Sequence, residues 1–180
     1  MNAGNAASYS KKVCMLGEFS VGKTSLVRRF VYERFDDAYI STVGVKVSRK
    51  TIAVTRNDTL VDLTMMLWDL AGSEEFDQLQ ASYLRGSAGA ILVCDLSRPE
   101  TLPELLSYVD NLKALGLDIP LALAANKVDL IQDIGAREAD VAALAEQINA
   151  AYFLTSAKSG DAVEYLFREL GQALLRQTSL

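Results

Sequence analysis

The chain alternates continuous apolar runs with stretches in which apolar residues recur every three or four positions. The continuous runs predict strands buried on both faces of a sheet, at 12–16, 88–95, 120–125 and 152–154. Helical spacing is found at 22–34, 97–112, 136–149 and 160–176, and more weakly at 73–84. Two longer strand-like segments, 43–54 and 60–68, are separated by Arg56, Asn57 and Asp58, which predict a hairpin turn.

This order of elements predicts an α/β fold of three layers, in which helices cover both faces of a six-stranded, mostly parallel sheet. The hairpin adds one antiparallel strand at the edge. Ser97 and Glu100 have the spacing of a capping box and predict that a helix begins there. Ligands of such sheets bind at the carboxyl ends of the strands, so we expect the functional residues at those ends.

Length and composition limit the possible functions. The 180 residues fit one domain, which we place at 11–177, between a flexible segment at 1–10 and a short end at 178–180. The net charge of −5 argues against non-specific binding of nucleic acid, and the absence of His excludes a histidine base or metal ligand. Cys14 and Cys94 lie in apolar runs, which predicts reduced core thiols and a cytoplasmic location.

The sequence also predicts that this chain has no direct membrane anchor. No run is long enough to span a bilayer, and residues 1–10 are too polar for a signal peptide. Residues 177–180 contain no cysteine that could be prenylated.

Residues 17–24 read GEFSVGKT, which is the G-x-x-x-x-G-K-T spacing of a phosphate-binding loop. The loop follows a predicted strand and opens a predicted helix, as this motif requires. Gly17 and Gly22 allow backbone conformations that a Cβ would block, so that the loop amides can face a phosphate. Lys23 would neutralise the β- and γ-phosphates, and the Thr24 hydroxyl would bind Mg²⁺. The alternative is a glycine turn with an unrelated Lys-Thr pair.

A second candidate feature lies where the strand-like segment at 60–68 ends. In a phosphate-loop protein an Asp at the position of Asp69 holds Mg²⁺ through its water shell. Gly72 could offer its N–H to a γ-phosphate. Taken alone, both residues also fit an ordinary strand end followed by a turn.

Two further polar strings follow predicted strands and point to a guanine base. Residues 126–129 (NKVD) follow a strand that we expect to lie beside the first one, and residues 155–158 (TSAK) follow the last strand. The Asp129 carboxylate can accept two hydrogen bonds from the N1 and N2 edge of guanine, whereas adenine lacks those donors. The Ala157 amide can contact the guanine oxygen. Either string alone is most often a plain turn.

Together these motifs resemble the small GTPases of the Ras superfamily, in particular the Rab branch. The resemblance spans roughly residues 10 to 176, and its most Rab-like strings are 39–44 (YISTVG), 68–72 (WDLAG) and 82–86 (SYLRG). It implies a P-loop NTPase fold, binding of GTP and GDP with Mg²⁺, and protein effectors and regulators that contact two switch regions. It also implies that Phe35 packs on the guanine base, although Phe35 fits a core aromatic as well. Tyr39 and Thr42 would lie in the first switch, Thr42 as a Mg²⁺ ligand, and 72–84 would form the second.

These inferences predict a set of site residues. The predicted nucleotide-binding residues are Gly17, Ser20, Val21, Gly22, Lys23, Thr24, Ser25, Phe35, Asn126, Lys127, Asp129, Ser156, Ala157 and Lys158. The predicted metal-binding residues are Thr24, Thr42 and Asp69. The predicted catalytic residues are Lys23, Thr42, Gly72 and Ser73.

Two positions depart from the family pattern. Ser73 stands where the family usually has the Gln that orients the attacking water, and its side chain is too short to do this directly. Phe19 stands at a loop position that is usually small, so its ring should crowd the γ-phosphate and hinder an arginine finger supplied in trans. Two hypotheses remain open: a switch that hydrolyses GTP slowly, and a guanine-nucleotide-binding module with negligible hydrolysis. A small-molecule phosphotransferase is disfavoured by Thr42 and the string at 126–129.

Overall fold

The computed structural model describes residues 7–38, 41–71 and 77–176, the last range without the side chains of residues 77–80. Its strands form one six-stranded sheet in the order β2-β3-β1-β4-β5-β6. Their bounds are β1 Ser8–Leu16, β2 Val45–Arg56, β3 Thr59–Leu70, β4 Gly89–Asp95, β5 Leu121–Asn126 and β6 Ala151–Leu154. All neighbours are parallel except the edge strand β2, which pairs antiparallel with β3. The predicted α/β fold is confirmed.

The antiparallel edge comes from a two-residue hairpin turn. Asn57 and Asp58 both have positive φ, 48° and 60°, which is the backbone of the turns whose twist matches the flanking strands. Asn and Asp tolerate this left-handed conformation better than most residues. The predicted hairpin is therefore confirmed, and its turn is formed by two residues that tolerate positive φ.

Helices cover both faces of the sheet and bury two apolar clusters. Their bounds are α1 Lys23–Tyr32, α2 Asp77–Leu84, α3 Leu105–Ala114, α4 Gly135–Gln147 and α5 Val163–Arg176. Helices α1 and α5 share one cluster, in which the rings of Phe30 and Phe167 stack with centroids 4.0 Å apart. Helices α2, α3 and α4 share the other, which contains Cys14 and Cys94 as buried free thiols. No helix of the described ranges has the length and apolar character needed to cross a membrane.

The structure corrects two details of the predicted sheet. Strand β1 begins at Ser8, so residues 8–10 belong to the sheet rather than to a flexible segment. The strand before Asn126 does not lie beside β1, because β4 separates them. The order of parallel strands depends on crossover connections, which local patterns do not encode.

The predicted capping box is also wrong. Helix α3 begins at Leu105, and residues 99–101 form a separate 3₁₀ turn. The Ser97 hydroxyl donates to Asp95 Oδ1 at 2.6 Å instead of capping helical amides. Pro103 has no N–H to continue a helix through this segment.

Candidate functional site

The glycine loop between β1 and α1 has a backbone conformation that requires glycine at two positions. Gly17 and Gly22 have φ of 145° and 105°. A Cβ on Gly17 would lie 2.2 Å from the Val93 carbonyl oxygen, and one on Gly22 would lie 2.2 Å from Asn126 Nδ2. Both positions therefore require glycine for space as well as for conformation. Ser20 also has positive φ, 63°, so the loop must be held by its surroundings.

The Lys23 side chain is buried inside this loop. Its Nζ donates to the carbonyl oxygens of Gly17 at 2.6 Å and Glu18 at 2.7 Å. Burial lowers the pKa of Lys23 to about 8, although the nearby carboxylates of Asp69 and Glu18 oppose that shift. The ammonium thus lies where a phosphate in the loop would meet it.

Three side-chain oxygens meet at the start of α1. Thr24 Oγ1 lies 2.6 Å from Thr42 Oγ1 and 2.5 Å from Asp69 Oδ2, and Thr42 Oγ1 donates to the same carboxylate oxygen at 3.5 Å. Asp69 Oδ1 is buried without a hydrogen-bond partner among the described residues. Burial raises the pKa of Asp69, and the hydrogen bonds and neighbouring lysines reduce that effect.

This oxygen cluster fits a magnesium ion that is shared with phosphates. Hydroxyl and carboxylate oxygens are ligands that Mg²⁺ prefers, and it is commonly held by one or two carboxylates together with phosphates. The unpartnered Asp69 Oδ1 supplies a buried acceptor that a hydrated cation would satisfy. No cluster of three or more acidic, Cys or His side chains occurs in the ranges that the structure describes, so a complete protein cage is absent there.

Asn126 joins the phosphate loop to the loop after β6. Its Nδ2 donates to the Val21 carbonyl at 3.0 Å, and its Oδ1 accepts from Thr155 Oγ1 at 3.2 Å and from the Ala157 amide at 3.3 Å. Ser156 Oγ donates to Asp129 Oδ1 at 2.6 Å and fixes the orientation of that carboxylate. The two strings at 126–129 and 155–158 therefore form one hydrogen-bonded unit.

Sequence reasoning missed three residues that hold these loops. Arg29 in α1 donates from Nε to the Ala157 carbonyl at 2.7 Å and also bonds to the Lys158 carbonyl. Asp95, at the end of β4, is buried and bonds to Lys127 Nζ at 2.6 Å and to Arg98 Nε at 3.2 Å. Burial alone would raise the pKa of Asp95, but the hydrogen bonds from Lys127 and Ser97 outweigh it and lower that pKa.

The predicted residues largely line one cavity of about 340 Å³ at the carboxyl edge of the sheet. Those on its wall are Ser20, Gly22, Lys23, Thr24, Ser25, Phe35, Thr42, Asn126, Lys127, Asp129, Ala157 and Lys158. Gly17, Val21, Ser156 and Asp69 stand behind this wall and bond to residues on it. Tyr39, Gly72 and Ser73 lie outside the described residues.

Apolar side chains, among them Phe19, Phe35 and Leu130, form part of the cavity wall. Phe35 is half-buried, packs against the α1–α5 cluster and also lines the cavity, so both interpretations of it hold in part. Leu130, which sequence reasoning missed, is 58% exposed on the wall next to Asp129. Phe19 is 52% exposed at the glycine loop. A flat base could pack between Phe35 and Leu130, whereas Phe19 lies at the glycine-loop end of the cavity, beside polar groups such as Lys23 and Thr24.

The geometry assigns the chain to the P-loop nucleotide-binding proteins, because a strand, a glycine loop and a helix place the lysine and the threonine as that class requires. The particular family follows from comparison: the chain belongs to the Ras family, whose model matches residues 12–176. It is a Rab-like small GTPase.

Two relatives illustrate this similarity. The GTP-binding protein ypt5 of Schizosaccharomyces pombe is 36% identical over 172 residues, which cover 94% of this chain and 80% of the relative. The Ras-related protein Rab-22A of Homo sapiens is 38% identical over 164 residues, which cover 91% of this chain and 82% of the relative.

Proposed function

We propose that this chain is a Mg²⁺-dependent guanine-nucleotide switch that hydrolyses GTP slowly and binds effectors in its GTP state. The observation that carries the proposal is the single cavity in which Lys23, the oxygens of Thr24 and Thr42, and the Asn126–Asp129 loop all converge. One end of this cavity suits phosphates and a divalent cation, and the other end suits a base. We further propose that the chain acts in the cytoplasm.

Selectivity for guanine would come from Asp129 and its supports. The carboxylate lines the cavity and is held by Ser156 Oγ, so it cannot turn away from a base without losing that bond. It can accept from the N1 and N2 donors of guanine, whereas an adenine base would cover this otherwise exposed carboxylate without offering it a donor. We therefore expect guanine nucleotides to bind roughly 10⁴-fold more tightly than adenine nucleotides.

The switch would act through Thr42. The Thr24 and Thr42 hydroxyls and the Asp69 carboxylate would hold Mg²⁺, which when bound would supply positive charge that neutralises the phosphates. Thr42 stands in the loop before β2, and the carbonyl of Gly44 in the same loop accepts from the Ala71 amide at 3.0 Å. Loss of the γ-phosphate would release Thr42 and change the surface that effectors and regulators contact.

Slow hydrolysis is expected from two residues. The Ser73 side chain has one hydroxyl on one carbon and cannot span the gap to an in-line water as the usual Gln does. The Phe19 ring lines the cavity beside the glycine loop, and we expect it to crowd the γ-phosphate side and hinder an arginine supplied by another protein. The same two residues favour the alternative function, a guanine-nucleotide-binding module with negligible hydrolysis.

The test starts with identification of the nucleotide that copurifies with the protein, followed by single-turnover phosphate release. Wild type should release phosphate slowly, Ser73→Gln should be modestly faster, and Ser73→Gln with Phe19→Gly faster still. Equal affinities for GTP and ATP in competition would refute the proposed base recognition. Phosphate release below detection in all variants would favour the binding module, and wild-type release at the rate of an activator-assisted GTPase would refute slow hydrolysis.

A further inference from the structure

Three consecutive carbonyl groups of the glycine loop are each held by a side chain from outside the loop. The Phe19 carbonyl accepts from Arg98 Nη2 at 2.8 Å, and the Ser20 carbonyl accepts from Lys127 Nζ at 2.9 Å. The Val21 carbonyl accepts from Asn126 Nδ2 at 3.0 Å. Asn126 and Lys127 belong to the base-binding string, whereas Arg98 lies after β4, within the string at 97–100, and belongs to no predicted nucleotide-binding motif.

These bonds set the direction of the loop amides. A trans peptide unit is planar, so its C=O and N–H point in opposite directions. A carbonyl of Phe19 that is drawn toward Arg98 therefore turns the Ser20 N–H away from Arg98. Ser20 has positive φ, which a non-glycine residue adopts reluctantly, so this segment needs an external contact to keep its conformation.

Arg98 is itself held in place from two sides. Its Nε donates to the buried Asp95 carboxylate at 3.2 Å, and Asp95 also accepts from Ser97 and Lys127. The Arg98 carbonyl accepts from the buried Thr101 hydroxyl at 2.8 Å, and the same hydroxyl accepts from the Asp95 amide at 2.9 Å. The Asp95 carboxylate thus positions both Arg98 and Lys127, and each of these two side chains donates to a different carbonyl of the glycine loop.

We propose that Arg98, oriented by Asp95, is a positioning residue that holds the Phe19–Ser20 peptide of the phosphate loop and thereby slows nucleotide release. This inference rests on the proposed binding of guanine nucleotides. A merely structural ion pair would behave differently: Arg98 is 36% exposed, and pairs at such positions contribute little to stability.

The chain offers a matched control in Arg168. Its Nε donates to the Glu164 carboxylate, four residues earlier in the chain, at 2.8 Å, and its Nη1 donates to the Ala53 carbonyl at 3.2 Å. Like Arg98, it therefore bonds to one carboxylate and one backbone carbonyl. Arg168 lies on α5, away from the residues that line the cavity. Arg98→Ala and Arg168→Ala therefore remove similar contacts from different places.

The experiment follows fluorescent N-methylanthraniloyl GDP on the full chain in excess Mg²⁺. Release from Arg98→Ala should be about three- to tenfold faster than from wild type, as expected for loss of a charge-assisted hydrogen bond. Association should be unchanged within about twofold, since encounter does not require an ordered loop amide. Release from Arg168→Ala should match wild type, and both variants should have similar melting temperatures.

Each outcome separates this inference from the proposed function. Failure of the wild type to bind the GDP probe would refute the proposed function and this inference with it. Normal binding by wild type with equal release from Arg98→Ala and Arg168→Ala would refute the positioning role alone. If Arg98→Ala does not fold, Arg98→Lys replaces it: its single ammonium lacks the fork that bridges carboxylate and carbonyl, so release should still be at least about twofold faster. Wild-type release from Arg98→Lys would then refute the proposal.

Discussion

Asn126 is the side chain whose removal should damage the site most, because it connects three separate segments of the chain. It is 1% exposed and makes three hydrogen bonds, to the Val21 carbonyl, the Thr155 hydroxyl and the Ala157 amide. Asn126→Ala deletes all three. The Thr155 hydroxyl can rotate to another acceptor, but the Val21 carbonyl and the Ala157 amide are backbone groups that cannot.

The loss of stability expected for Asn126→Ala follows from the two backbone groups left without a partner, the Val21 carbonyl and the Ala157 amide. A buried donor or acceptor that loses its partner costs about 1–3 kcal/mol. Two of them, with partial relief by water that enters the space left by the amide, should lower the free energy of unfolding by about 2–4 kcal/mol. In a chain of this size that corresponds to a fall in melting temperature of about 5–15 °C. Release of a bound guanine nucleotide should be at least about tenfold faster, since the phosphate loop and the base loop lose their direct link.

Thermal unfolding with and without GDP measures the first effect, and release of the fluorescent GDP probe measures the second. Asn111→Ala is the matched control, because Asn111 is exposed on α3 and the same amide is removed without stranding a backbone group in the site. If Asn126→Ala melts within about 1 °C of Asn111→Ala and releases nucleotide equally slowly, the three bonds do not connect the two loops as argued.

Three other outcomes follow from the site and the core. Lys23→Ala should lose tight nucleotide binding, whereas Lys113→Ala, which changes an exposed lysine of α3, should keep it. Isothermal titration of the folded variants measures both affinities, and equal affinities would contradict the role of Lys23. Hydrogen exchange at 35–44 and 72–84 should differ between GDP and a non-hydrolysable GTP analogue, and identical exchange would exclude a switch. Burial raises the pKa of Cys14 and raises that of Cys94 to about 12, so Ellman's reagent should label neither thiol in native protein and both after denaturation; rapid native labelling would contradict their burial.

The fold was predictable because its determinants are local. Strand β4 is buried along its whole length and reads as an unbroken apolar run, and the turn at Asn57 and Asp58 uses residues that tolerate positive φ. The phosphate loop was predictable for a similar reason, since its glycines are demanded at fixed spacing by backbone geometry. The order of the strands in the sheet is less evident from the sequence, which predicts β5 beside β1, whereas β4 lies between them.

The supports of the site could not be read from the sequence because their partners are distant along the chain. Arg29 bonds to carbonyls at 157 and 158, and Arg98 bonds to one at 19. A backbone carbonyl has no sequence signature, so the sequence does not distinguish an arginine that donates to a distant carbonyl from any other surface arginine. Asp95 has the sequence context of an ordinary strand end, and the spacing of Ser97 to Glu100 predicts a helix cap, whereas the Ser97 hydroxyl donates to Asp95.

The three side chains that hold residues 19–21 should act as one unit rather than as independent supports. Arg98, Lys127 and Asn126 bond to successive carbonyls of a loop that contains Ser20 at positive φ, so loss of one contact frees a peptide unit that the next contact must also restrain. If Asn126→Ala already makes the glycine loop less ordered, the Arg98 contact restrains the loop less, and its loss should have a smaller effect on nucleotide release. The double variant Arg98→Ala with Asn126→Ala should therefore release nucleotide more slowly than the product of the two single effects predicts, with a coupling of about 0.5 kcal/mol or more. Release rates of wild type, both single variants and the double variant complete the cycle. Strict additivity would mean that the carbonyls are held separately, because contacts that restrain one flexible segment cannot be lost independently.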